Sequence, residues 1–436
     1  MDKDRTEMDT TEKTEKELPA DGGRGEAENR FSQDRTREGH TKHKGRFGAG
    51  VLTGMAGMLV IIAAAFGIRS WVIGNSLASS GVSAKDVENK LDVINGLIDE
   101  YYLYEDEIDS NALVEGLYSG YTEALGDPYT EYYDEEETQA LFESTSGEFS
   151  GIGVTMSQGP DGTITVTNIY KDSPADKAGM QVDDILLQVD GKDIQGKDLN
   201  TVVSYVKGEK GSEVTLTVLR DNKEVDLTAV RDTIEVQTVD YRMMDGQLGY
   251  ISVSEFDDVT YEQFKTAMDD LEAQNMQGLI IDLRNNPGGN VDTVTDMLKL
   301  LLPEGPIISI KYKNGNTEEM TCDGTNEFKK PLAVLVNGYS ASASEIFSGA
   351  VQDYGTGTIV GTTTYGKGVV QQLISLGDGT CLKLTIAEYY TPSGRSINGT
   401  GVTPDVEIEY KYDENNPDAD NQLEKAVEVL REQLNL

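Results

Sequence analysis

GLIIDL (278–283) and PLAVLVN (331–337) are apolar at nearly every position, and a stretch of helical periodicity follows each of them. A strand with one wet face alternates apolar and polar residues, so a strand without that alternation must be covered on both sides. Helices placed between such strands supply the crossovers that parallel pairing needs. The pattern runs through LGYISVSEF with TYEQFKTAMDDLEAQN, GLIIDL with VDTVTDMLKLLL, and PLAVLVN with SASEIFSGAVQDYG. Region 240–410 is therefore expected to be an α/β body around a largely parallel sheet, with 420–436 an amphipathic C-terminal helix.

Upstream, the period of the pattern changes twice. Between 148 and 232 it is two, in GIGVTM (151–156), TITVTNIY (163–170), DILLQV (184–189) and SEVTLTVLRDNKEVDLTAV (212–230), with short helical pieces at SPADKAGM and DLNTVVSYVKG. This predicts one β-rich module. Before it, Leu91, Ile94, Leu97 and Ile98, then Leu113, Leu117 and Tyr121, recur at helical spacing, so 85–145 is expected to be helical. Residues 1–46 carry 12 acidic and 11 basic side chains with almost no apolar periodicity, the pattern of a disordered tail.

Residues 47–68 contain no charge. As a helix they would span about 33 Å, enough to cross a bilayer. Lys42, Lys44 and Arg46 precede the run and only Arg69 follows closely, which places the N-terminus in the cytoplasm and the rest outside the cell membrane. A cleaved signal peptide is the alternative, but the apolar run is long for one. The formal charge of -40 falls almost wholly on the part beyond the tail, 65 acidic against 26 basic residues, and argues against nucleic acid as a partner. Cys322 and Cys381 leave a disulfide and two buried thiols both open. No histidine follows the anchor and two cysteines do not fill a zinc shell, so no metal or other cofactor is expected.

Two strand-to-helix junctions attract attention, because ligands collect at the carboxyl ends of strands in such folds. DLRNNPGGN (282–290) frees the backbone to turn and present amides. NGYSASASEIF sets Ser340, Ser342 and Ser344 at the start of a helix, where Ser342 and Glu345 have capping-box spacing. A histidine-based triad is excluded, since His40 and His43 both precede the anchor. Lysine is the remaining base, and it works only as the neutral amine. Lowering its pKa by about 3 units costs about 4 kcal/mol, which burial or positive neighbours must supply. Lys367, between Gly366 and Gly368, fits such a place, although a lysine in a glycine turn is ordinarily just solvated. On a strand reading Gln371 points to the same face and is placed to hold the amine.

GDPYTEYYD, GIGV, DLRNNPGG, SASASEIFSGAVQDYG and GKGVVQ occur in an order that resembles the carboxyl-terminal processing peptidases, or tail-specific proteases. These are serine peptidases with a Ser-Lys site, and the resemblance covers nearly the whole chain after the anchor. It implies that Ser342 is the nucleophile, Lys367 the general base and Gln371 its orienting partner. It also implies that the amides of Gly288 and Ala343 form the oxyanion hole, with Asp353 a possible accessory acid. The 148–232 module resembles a PDZ domain, with Gly151, Ile152, Gly153 and Val154 as the loop that binds a substrate's C-terminus. The body then resembles the family's crotonase-like core. The expected function is a membrane-anchored, extracytoplasmic endopeptidase acting on proteins with free C-termini, with a homodimer hinted at by the family. A non-catalytic PDZ-type receptor and a crotonase-type acyl-thioester enzyme are the rival readings.

Overall fold

The computed structural model describes residues 83–417 and 419–435, so the expected tail and anchor (1–68) lie outside the described residues. Among the described residues no helix is long and apolar enough to cross a membrane. The chain divides into two units after Ile108. In the first, helix α1 (Ala84–Tyr101) starts at Ser83, whose hydroxyl accepts the Asp86 amide, and Val93, Ile94 and Leu97 on it are exposed.

The second unit begins with α2 (Ser110–Glu123), β1 (Glu131–Tyr133) and α3 (Glu135–Ser146). Local sequence sets the limits of α3: Asp134 and Glu137 form a capping box, and Gly147 ends the helix in the left-handed conformation at φ 69°. The β-rich module follows as β2 (Glu148–Gly151), β3 (Val154–Gln158), β4 (Ile164–Ile169), α4 (Pro174–Lys177), β5 (Ile185–Val189), β6 (Lys192–Asp193), α5 (Leu199–Val206), β7 (Glu213–Arg220), β8 (Lys223–Val230) and β9 (Asp232–Glu235). Its sheet has the order β3-β4-β5-β7-β8, while β2 and β9 pair separately, so the chain enters and leaves the module side by side. The strand expected over 151–156 is broken at Ile152–Gly153, because Gly153 at φ 77° turns the chain.

The α/β body contains β10 (Val239–Met244), β11 (Leu248–Val253), α6 (Thr260–Ala273), β12 (Gly278–Asp282), α7 (Val291–Leu298), β13 (Gly305–Tyr312), β14 (Thr317–Cys322), β15 (Leu332–Val336), α8 (Ala343–Tyr354), β16 (Thr358–Gly361), β17 (Val369–Ser375), β18 (Cys381–Tyr390), β19 (Val406–Glu407) and α9 (Asn421–Leu434). Its central sheet runs β10-β11-β12-β15-β16-β19 and is parallel except for the β10–β11 pair. Every residue of β12 and β15 is buried. Leu279, Ile281, Val334 and Val336 pack with α6, α7 and α8, while Ile280, Ala333 and Leu335 pack with Ala426 and Leu430 of α9. The two covered faces explain the unbroken apolar strands.

A second, antiparallel sheet joins β1, β18, β13 and β14, with β17 also on β18. Apart from β17, this sheet has no counterpart in the sequence reading. Its register pairs Glu131 with Lys383, a partnership no local pattern could reveal. Cys322 and Cys381 are buried free thiols.

Candidate active site

Ser340, Ser342 and Ser344 have distinct surroundings. The Ser340 hydroxyl is fully buried, donates to the Leu283 carbonyl at 2.7 Å and accepts the Asn337 amide at 2.9 Å. Ser344, also fully buried, donates to the Asn286 carbonyl at 3.0 Å. Both hydroxyls pin the 283–286 segment to the start of α8. Ser342 instead lines a cleft of about 280 Å³ together with Lys367 and Gln371. Larger cavities, of about 560 Å³ beside Arg284 and about 750 Å³ beside Cys322, combine no serine with a lysine.

Ser342 caps α8 with φ 54° and ψ -111°, a conformation costly for a residue with a Cβ. The capping box with Glu345 is present. Glu345, fully buried, extends that contact further than helix capping requires. Its Oε2 accepts the amides of Ser342 and Lys367, both at 2.9 Å, and its Oε1 accepts the Gly366 amide at 2.7 Å and the Thr364 hydroxyl at 2.5 Å. From β18, the Tyr389 hydroxyl lies 2.7 Å from the Lys367 carbonyl and 3.0 Å from that of Ser342. Two buried side chains thus tie the main chain of the serine to that of the lysine. A local motif shows Glu345 only as a cap and shows nothing of Tyr389, because both act through partners distant in the chain.

The glycines beside Lys367 are required by close approach. A Cβ on Gly368 would stand 2.6 Å from the Asn398 amide nitrogen, and one on Gly366, at φ 93°, 3.1 Å from that of Thr400. Burial pushes the Lys367 amine below the ordinary lysine range, and the nearby Lys383 ammonium adds to the push; Glu345 and Asp127 oppose it. Lys367 Nζ lies 4.8 Å from the centre of the Tyr129 ring, a contact supplied by the segment before β1.

Gln371 faces the same cleft, but its amide donates to Thr385 Oγ1 at 3.1 Å, and a bulge between Val370 and Gln371 breaks the simple strand alternation. Gly288, at φ 114°, packs so closely on α8 that a Cβ there would meet Ser342 Cβ and the Ala341 carbonyl oxygen, each at 2.8 Å. Its amide donates to Asn286 Oδ1 at 2.8 Å, while Gly289 lines the cleft. The Ala343 amide belongs to the first turn of α8, where no intrahelical acceptor exists. Asp353 does not line this cleft. It accepts the Ser393 amide at 2.9 Å and pairs with Arg395 at 3.1 Å, anchoring the 391–395 turn.

In the β-rich module, Gly151, Ile152, Gly153 and Val154 line one groove of about 280 Å³, bounded by Val203 and Val206 of α5. The Ile152 carbonyl accepts the Ala175 amide at 2.8 Å and the Gly153 carbonyl the Tyr170 amide at 3.0 Å, which fixes the loop. Lys207 stands at the groove and pairs with Glu143 of α3 at 2.5 Å. This cation went unmarked in the sequence.

A parallel α/β body, a separate β-rich module, and a serine at a helix start that shares a cleft with a half-buried lysine are features a serine peptidase would need. The comparisons agree. Residues 247–408 match peptidase family S41 and residues 165–220 match the PDZ domain. The chain is 35% identical over 355 residues to the carboxy-terminal processing protease CtpA of Bacillus subtilis (strain 168), covering 81% of this chain and 76% of that protein. It is 39% identical over 310 residues to the carboxy-terminal-processing protease of Bartonella bacilliformis, covering 69% and 70%. A solved photosystem II D1 C-terminal processing protease is 29% identical, with 71% and 85% covered and a TM-score of 0.43. The chain belongs to the carboxy-terminal processing protease family, peptidase family S41, and is a serine protease acting on protein substrates.

Proposed function

We propose that the chain is a membrane-anchored endopeptidase that captures protein C-termini in the 151–154 groove and cleaves them at Ser342. The observation that carries this reading is the shared cleft: a strained serine at the head of α8 faces the same space as a lysine whose amine burial pushes down. Lys367, as the neutral amine, takes the Ser342 proton while Oγ attacks the peptide carbonyl, and then protonates the leaving amine. Water hydrolyses the resulting acyl-enzyme. The Ala343 amide stabilises the oxyanion, and Gly288 joins it once Asn286 Oδ1 gives up its amide. Gln371 orients the amine after leaving Thr385. Asp353 keeps its anchoring role.

The charge-free run at 47–68, preceded by basic residues, supports an anchor with the protease outside the cytoplasm. Exposed Leu113, Leu117 and Tyr121 on α2 support a homodimer. The test uses the full-length protein and a peptide with an apolar free C-terminus. Cleavage should withstand a metal chelator and disappear in both Ser342→Ala and Lys367→Ala. Undiminished cleavage by either variant would sink the assignment.

A further inference from the structure

The cleft wall beside the 288–289 turn carries a carboxylate for which the Ser-Lys chemistry has no use. Asp257 is 5% exposed and lines the cleft that holds Ser342 and Lys367. Its main chain is fully engaged: its amide donates to Thr260 Oγ1 at 3.0 Å, and its carbonyl accepts the Thr260 amide and the Thr293 hydroxyl, both at 3.1 Å. Among the described residues, none donates a hydrogen bond to its carboxylate and no cation pairs with it. The charged groups acting on it, Glu255 and Asp258, share its sign. Asp258, by contrast, accepts Asn290 Nδ2 at 2.6 Å. Gly147 leaves room for the carboxylate, since a Cβ there would stand 3.2 Å from Asp257 Oδ2.

The position of Asp257 is fixed relative to the reaction centre. Phe256 bridges Gly289, with its amide donating to the Gly288 carbonyl at 2.9 Å and its carbonyl accepting the Asn290 amide at 2.7 Å. Asp257 therefore sits one residue from the turn that packs on Ser342. Glu255 lines the same cleft, while Lys367 and Lys383 supply its positive charge. The carboxylate therefore opens on the cleft among like charges, with no donor among the described residues set against it, an arrangement that favours a cationic ligand there.

We infer that Asp257, with Glu255 beside it, binds a lysine or arginine side chain of the substrate next to the scissile bond. This rests on the peptidase reading of the same cleft. The cation brings the donors the carboxylate lacks and offsets its repulsion by Glu255, and an acidic residue at that place is rejected.

The test compares peptides that share an apolar free C-terminus and carry arginine or its neutral isostere citrulline at each position flanking the cut, using the full-length protein. At one position kcat/KM should favour arginine by about tenfold or more. Burial pushes the Asp257 carboxyl up to about 7, so the preference should grow from pH 6 to pH 8 as the group ionises. Asp257→Asn should bring the ratio near one, and Asp257→Lys should turn it toward glutamate. In a Ser342→Ala background, calorimetry should show tighter binding of the arginine peptide, and adding Asp257→Asn should erase the difference. An arginine-to-citrulline ratio near one in the parent overturns the inference even if no variant folds, as does a ratio unchanged in Asp257→Asn. If the parent cleaves neither peptide, the peptidase reading fails, and the inference falls with it.

Discussion

The Ser342 cleft and the groove at Gly151–Val154 each enclose about 280 Å³, but they are built differently. The cleft gathers Glu255, Asp257, Lys367 and Lys383, with Ser342 strained at φ 54° and the neighbouring turn built on glycines at φ 114° (Gly288) and 140° (Gly289). The groove is lined mainly by apolar side chains such as Phe149, Ile152, Met156 and Val206, with Lys207 its one charged group among the described residues. On the proposed reading, the strain and part-buried charge lie where charge would develop during the reaction, and the apolar groove lies where a tail would be held.

The sharpest way to break that contrast is Lys367→Arg. Guanidinium stays protonated, so turnover should fall by about a thousandfold or more while the affinity for a C-terminal peptide, read by fluorescence anisotropy, stays within about twofold. Equal losses in turnover and affinity would mean that the two regions are not separate in function. Next is Glu345→Gln, which keeps the shape but sets an NH2 group against the two donors that one carboxylate oxygen now accepts. A loss of about 2–3 kcal/mol in chemical denaturation is expected, together with lower turnover. Unchanged stability would show that this buried carboxylate does not hold the serine and lysine segments together.

Amidating the peptide's C-terminus tests the groove alone. KM should rise about tenfold with kcat nearly constant, because a charge-assisted contact made equally in the ground and transition states is lost. A fall in kcat of the same size would put the tail contact in the chemical step. Lys383→Met removes one of the influences that lower the Lys367 amine, so the rising limb of the pH–rate profile should move to higher pH by less than about one unit, burial being the larger cause.

The smallest effect concerns Asp257 and stability. Its carboxyl is raised from 3.8 to about 7, so ionisation is harder in the folded state, and the native protein loses stability as pH climbs between those values. Asp257→Asn should therefore raise the melting temperature at pH 8 and leave it nearly unchanged at pH 4. A gain at pH 4 equal to that at pH 8 would show that the buried charge is not its source.

The contrast between cleft and groove was partly legible in the chain. Period-two and period-3.6 patterns, the glycines of NPGG and GKG, and the absence of histidine after residue 43 are local facts, and they were enough to expect a parallel body, a β-rich module and a lysine base. Local spacing could not choose among Ser340, Ser342 and Ser344. The fold separates them by committing the outer two hydroxyls to Leu283 and Asn286, contacts made across 57 and 58 residues of chain.

The sequence by itself determined which elements form and which chemistries were open, because hydrophobic period, capping and turn residues act over a few positions. Only the tertiary structure decided that Glu345 and Tyr389 would hold the serine and lysine segments together, that Gln371 would rest on Thr385, and that Asp257 would stand without a partner among the described residues. Those outcomes depend on burial and on partners up to 47 residues away, and burial sets what an unpaired charge costs.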